Sequence, residues 1–151
     1  MRLIIQRVKQ AAVTIADQKV AEIAAGMVVL VGIAKGDKSA DADYLARKTV
    51  NLRIFADENG KLNRSLIDCG GQVLVVSQFT LYGDCRRGNR PDFFTAAAPD
   101  EAQCLYEYYV KQLQSYGLLV QTGVFQADML VDIANDGPVT IIIESEAKKG
   151  E

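Results

Sequence analysis

The chain has 151 residues, 49% hydrophobic and 24% charged, with a net charge of −2. That length and balance suit one globular domain with a sizeable core, and the acidic total excludes a general polyanion binder, which would be basic. The sequence contains no histidine, which excludes Ser-His-Asp and Cys-His nucleophilic catalysis and HExxH zinc sites.

In chain order, residues 3–8 and 11–15 read as extended, rich in Ile and Val. Residues 12–23 form a predicted hairpin with a polar tip at Asp17-Gln18-Lys19. Gly26 breaks the chain, and residues 27–34 (MVVLVGIA) predict a buried strand. Ser39 or Asp41 can cap a helix running to about Arg53, with Leu45, Thr49 and Leu52 on one face. Asn59-Gly60 signals a hairpin turn, with residues 61–65 irregular after it. The run Val73-Leu74-Val75-Val76 is too short for a helix and has the pattern of a strand buried on both faces. It ends in polar groups, Ser77, Gln78 and Thr80. Such an end is a rigid place to build a site, and it is equally how a core strand reaches the surface. A loop over residues 82–94 carries Arg86, Arg87 and Arg90. It reads either as solvated chain or as an anion contact. Pro99 suits the start of a helix with Ala102, Leu105, Tyr106, Tyr109, Leu113 and Tyr116 on one face, a stripe that belongs to a core. Residues 118–120, 124–125 and 127–133 are apolar or extended, Asn135 to Pro138 has turn composition, and residues 139–143 predict a last buried strand. The tail, 147–151, reads as frayed.

These elements predict an α+β fold with a curved, mostly antiparallel, barrel-like β-sheet and a few helices. There is no second domain, so residues 1–151 form a single unit. No apolar run approaches the ~20 residues of a membrane span, and no signal peptide is expected. Three cysteines without CxxC spacing fit a reduced, cytoplasmic protein. No metal or cofactor is expected. Without histidine, proton chemistry must come from carboxylates, lysine, backbone dipoles or the substrate.

Ser77-Gln78-Phe79-Thr80 together with Asn135-Asp136-Gly137-Pro138-Val139-Thr140 resembles the paired signatures of the D-aminoacyl-tRNA deacylases, also called D-tyrosyl-tRNA deacylases. The likeness extends over Ile5-Gln6-Arg7-Val8, Arg53-Ile54-Phe55, Gly88-Asn89-Arg90-Pro91 with Phe93, Thr122-Gly123-Val124-Phe125 and Ala127-Asp128-Met129. It implies a cytoplasmic homodimer that hydrolyses the ester of D-aminoacyl-tRNA, with a site shared between subunits. In the family the Gly-Pro bond is cis. By resemblance, Gly137 and Pro138 hold the substrate's α-amino group through main-chain oxygens and leave no room for an L side chain. Glycyl-tRNA, which has no side chain to clash, is expected to pass. Ser77, Gln78, Phe79 and Thr80 form the catalytic wall, with Thr80 orienting rather than attacking, since no base stands ready to activate it. Phe125 and Met129 are assigned to the terminal adenosine pocket and Arg7 to bracing the Gly-Pro loop. The ribose 2′-hydroxyl beside the ester supplies the group that positions or activates water. Two other classes remain open from the residues: an RNA-binding module without catalysis, and a small esterase using Thr80 or Cys85 as nucleophile.

Overall fold

The computed structural model describes residues 1–145, so the tail at 147–151 lies outside the described residues. β1 (Arg2–Ile15) is one long strand where two were expected, and three other strands of the main sheet pair with it. Its second half turns back through Ala16 and Asp17, both at positive φ, into β2 (Gln18–Ile23). The hairpin tip therefore sits one residue earlier than its polar composition suggests. β3 (Gly26–Gly32) runs antiparallel to the first half of β1. The helix α1 (Ser39–Asn51) follows, then the small hairpin of β4 (Phe55–Ala56) and β5 (Leu62–Arg64) around Asn59-Gly60. Residues 62–64, expected to be irregular, pair here because the Asn-Gly turn brings them against residues 55–56. Ser65 then opens a single turn, α2 (Leu66–Cys69), through a reciprocal cap with Asp68.

β6 (Gln72–Ser77) lies parallel to β3, and β7 (Val120–Thr122) lies parallel to β6. Between them runs α3 (Pro99–Gln114), which stops before Tyr116, leaving that end of the stripe exposed. The last strand, β8 (Leu130–Glu144), pairs antiparallel along almost the whole of β1. The main sheet thus has the order β2-β1-β3-β6-β7, with β8 on β1. It is mixed: antiparallel where hairpins and β8 meet β1, parallel at β3, β6 and β7. The turn expected over Asn135–Pro138 is not a break in the chain. β8 continues through it, and the extra residues appear as a register shift opposite Gln6 and Val8.

The apolar run in β6 serves two cores. Val73 and Val75 face α1 and α3 with Leu3, Ile5, Met27, Leu45 and Tyr109. Leu74 and Val76 face the opposite way, with Val8, Val13, Ile23 and Val28. Burial on both faces is why the strand shows no polar alternation.

Candidate active site

Two structures follow from the local chemistry, one at the end of β6 and one in the middle of β8. At the first, β3 holds the exit of β6, since Gln78 N donates to Val31 O at 2.7 Å. The chain then closes a short 3-10 turn, Phe79–Tyr82. The N–H groups of Phe79 and Thr80 open this turn, where helical geometry offers them no acceptor. Gln78 Nε2 donates to Thr80 Oγ1, joining the two polar side chains. The Phe79 ring packs edge-on against Phe93, centroids 5.0 Å apart, and stays more than half exposed.

Ser77, Gln78, Phe79, Phe93, Phe125 and Met129 line a cleft of about 690 Å³. Phe125 is held by Tyr106, whose ring centroid lies 5.9 Å away. Tyr106 is itself fixed by its hydroxyl, which donates to Val75 O at 2.9 Å. Burial raises the phenol well above its ordinary range, so it acts as a neutral donor. Met129 packs against Gly123: a Cβ there would stand 2.6 Å from the Met129 sulfur, so the side chain would have to shift. The resemblance did not single out Gly123 for this part, and a lone glycine among turn residues gives no such signal. Gln126, at a φ of 65°, and Asp128 also line the cleft; Asp128 lies in a stretch that carries the resemblance, but neither was assigned a role.

The structure therefore brings together Ser77, Gln78, Phe79, Phe125 and Met129. Thr80 is exposed and outside the cleft lining. Gly137, Pro138 and Arg7 are elsewhere on the sheet. The Gly137-Pro138 peptide is cis, with Gly137 at a φ of 126°. Arg7 Nε donates to Asp136 O at 3.1 Å, and Arg7 Nη1 donates to Ile54 O at 2.8 Å. Val139 N donates to Asn135 Oδ1 at 3.2 Å, closing the bulge from the other side. A Cβ on Gly137 would stand 2.9 Å from Arg7 Nη2 and 3.0 Å from Val139 Cγ2. The segment is thus pinned at both ends.

The register measures how far apart the two structures are. Arg7 pairs with Met27, Met27 with Val73, and Ser77 lies at the far end of the same strand. Going from the β8 bulge to Ser77 crosses three strand spacings of ~4.8 Å and four residues of ~3.3 Å along the sheet. Within one chain the bulge does not reach the cleft. Among the described residues no group of His, Cys, Asp and Glu is placed to hold a metal ion, and no helix is long and apolar enough to cross a membrane.

Fold and cleft together define a class: a small α+β protein with a mixed barrel-like sheet and an apolar cleft walled by backbone and amide groups. The comparisons make it particular. The family model described as D-Tyr-tRNA(Tyr) deacylase matches residues 4–144. The chain is 58% identical over 144 residues to a D-aminoacyl-tRNA deacylase of Heliobacterium modesticaldum, covering 95% of this chain and 96% of that one. It is 57% identical over 150 residues to the enzyme of the same name from Thermus aquaticus, covering 99% of each. A solved structure described as a c-Myc DNA unwinding element binding protein superposes with a TM-score of 0.92 at 40% identity, over 97% of this chain and all of that one. A probable eukaryotic D-amino acid tRNA deacylase, at 16% identity and a TM-score of 0.81 over 95% of this chain and 98% of that one, shares the fold. The chain belongs to the D-Tyr-tRNA(Tyr) deacylase family. Its activity is that of a D-aminoacyl-tRNA deacylase, a hydrolase.

Proposed function

We propose that the protein clears D-amino acids from tRNA in the cytoplasm as a single-domain homodimer, with the Gly137-Pro138 segment of each subunit closing the cleft of the other. The observation that carries this reading is the separation of the β8 bulge from the cleft along the sheet. A rigid main-chain segment that is pinned by Arg7 yet idle in its own chain gains a use when a second copy presents it.

In the cleft, the terminal adenosine lies between Phe125 and Met129, and the ester carbonyl faces the N–H groups of Phe79 and Thr80. The Gly137 and Pro138 carbonyl oxygens accept from the substrate ammonium. With that group and the ester both fixed, a D side chain points out and an L side chain points into backbone. Water adds to the carbonyl carbon, positioned by the neighbouring 2′-hydroxyl of the ribose. The backbone donors stabilise the oxyanion, and the 3′-oxygen leaves with a proton, giving free tRNA and the D-amino acid. Positioning and electrostatics of this kind each supply several kcal/mol, and an aminoacyl ester is already activated. Glycyl-tRNA, lacking a side chain, passes the same filter.

The test is ester loss from D- and L-tyrosyl-tRNA. The D ester is consumed and the L ester is spared. Thr80→Val retains measurable activity, while a 2′-deoxy terminal adenosine nearly abolishes it. Equal consumption of both esters, or an acyl-Thr80 adduct in the mass spectrum, sinks the reading.

A further inference from the structure

Beyond the cleft, the loop leaving its wall is built unlike the rest of the surface. Its two ends are stapled together: Asp84 N donates to Asp92 O at 2.9 Å, and Asp92 N donates to Asp84 O at 3.1 Å. Inside the staple, Arg86 folds back on Asp84, with Nη2 2.6 Å from Oδ2 and Nε 2.9 Å from Oδ1. That pair neutralises itself. Arg87 and Arg90 are exposed and, among the described residues, join no salt bridge. Two unpartnered guanidinium groups therefore stand on a constrained loop of a chain whose net charge is −2. Lys35 is also exposed, and its backbone N–H donates to Thr95 O, just past the loop, at 2.9 Å.

The same segment carries the most exposed large apolar side chain of the described residues. Phe94 is 76% exposed, yet its neighbour Phe93 is clamped on Phe79 in the cleft wall. An aromatic face in water on the same short segment as two free cations matches what single-stranded nucleic acid needs: a π surface for a base and guanidinium forks for phosphates. The surroundings set the direction. Asp128 lines the cleft, and Asp100 and Glu101 begin α3 beside it. Phosphates are therefore disfavoured inside the cleft and favoured on the loop.

We infer that Arg87, Arg90 and Phe94 form a docking rim for the single-stranded 3′ end of the tRNA, the arginines on phosphates and Phe94 under a base next to the terminal adenosine. This rests on the proposed ester-hydrolase reading of the cleft. It adds that part of the affinity for tRNA comes from outside the reacting end.

The experiment compares two substrates, D-tyrosyl-tRNA and the D-tyrosyl ester of adenosine, which has the reacting end but no phosphates. The double variant Arg87→Ala/Arg90→Ala and, separately, Phe94→Ala are each measured on both. On D-tyrosyl-tRNA, KM rises about tenfold for each variant, with kcat little changed. The KM of the double variant also loses about 1.4 from its slope against log salt, as two single-strand phosphate contacts require. On the adenosine ester both variants match the parent. Arg87→Lys/Arg90→Lys recovers most of the salt slope. Unchanged KM on D-tyrosyl-tRNA overturns the inference. So does an equal loss on both substrates, or a lowered melting temperature or altered sedimentation accompanying it, because then the loop acts through the fold or the subunit contact. If the parent itself leaves D-tyrosyl-tRNA intact, the hydrolase reading fails instead, and the two failures are distinguishable.

Discussion

Gly26 is where one missing side chain decides how the sheet assembles. It opens β3 between β1 and β6, and a Cβ added there would stand 1.8 Å from Gln72 O and 2.6 Å from Gln72 N. Both atoms are backbone, so no rotamer change can relieve the clash. Gly26→Ala would push β6 off β3 at the end where Gln72 N donates to Ala25 O at 3.1 Å. Overpacking in a well-packed core costs typically 1–3 kcal/mol, and a contact this close to main chain belongs at or above the top, about 3 kcal/mol. Denaturant unfolding of Gly26→Ala should show that loss. A variant within about 0.5 kcal/mol of the parent would mean the strands part freely there. The sequence marks Gly26 as a break in the chain but not as a contact, because the neighbour that forbids a side chain lies 46 positions later, in β6.

At the scale of elements, α3 shows what periodicity reads well. Its three-to-four spacing assigns the tyrosine stripe to the core, and Tyr106, Tyr109 and Leu113 are buried there. Tyr109 shares a hydroxyl contact of 2.8 Å with Thr49 of α1. Burial raises the Tyr106 and Tyr109 phenols above their ordinary value, and burial with the nearby Asp37 charge pushes Tyr82 up to about 12. The consequence for stability has a definite sign. An unfolded tyrosine loses its proton near pH 10, while these folded ones keep theirs. Above that pH the unfolded chain binds fewer protons than the folded one, so stability falls as pH rises, from about pH 10 to about pH 12. Each fully buried tyrosine removes at most about 1.4 kcal/mol per pH unit in that window. Urea midpoints across it should fall, and Tyr109→Phe should soften the fall. A flat profile refutes the argument. What local pattern could not give is β8. Residues 127–133 and 139–143 look like separate pieces because Asn135, Asp136, Gly137 and Pro138 have turn composition. The partner strand decides otherwise: β1 is long enough to pair on both sides of the bulge, and pairing wins over local preference.

For the molecule as a whole, residue pattern alone made the two signatures legible as pieces, and only the family resemblance implied that they meet between subunits. Ser77 to Thr80 and Gly137-Pro138 could have been neighbours in one chain. The strand order and register place them far apart on one sheet. The proposed shared site makes a claim that a self-contained site does not. Take one variant with a damaged wall, Phe79→Asp, and one with a damaged clamp, Gly137→Val, whose side chain would meet Arg7 and Val139. Each alone should be inactive on D-tyrosyl-tRNA. In a mixed dimer, one of the two sites joins the intact wall of one subunit to the intact clamp of the other. Equal mixing with free exchange makes half the dimers mixed, each with one good site of two, so activity returns to about a quarter of the parent. If wall and clamp act within one chain, no subunit in the mixture has both, and nothing returns. Exchange itself can be followed by the mass of differently tagged subunits. Mixed dimers without recovered activity would place the whole site in a single chain.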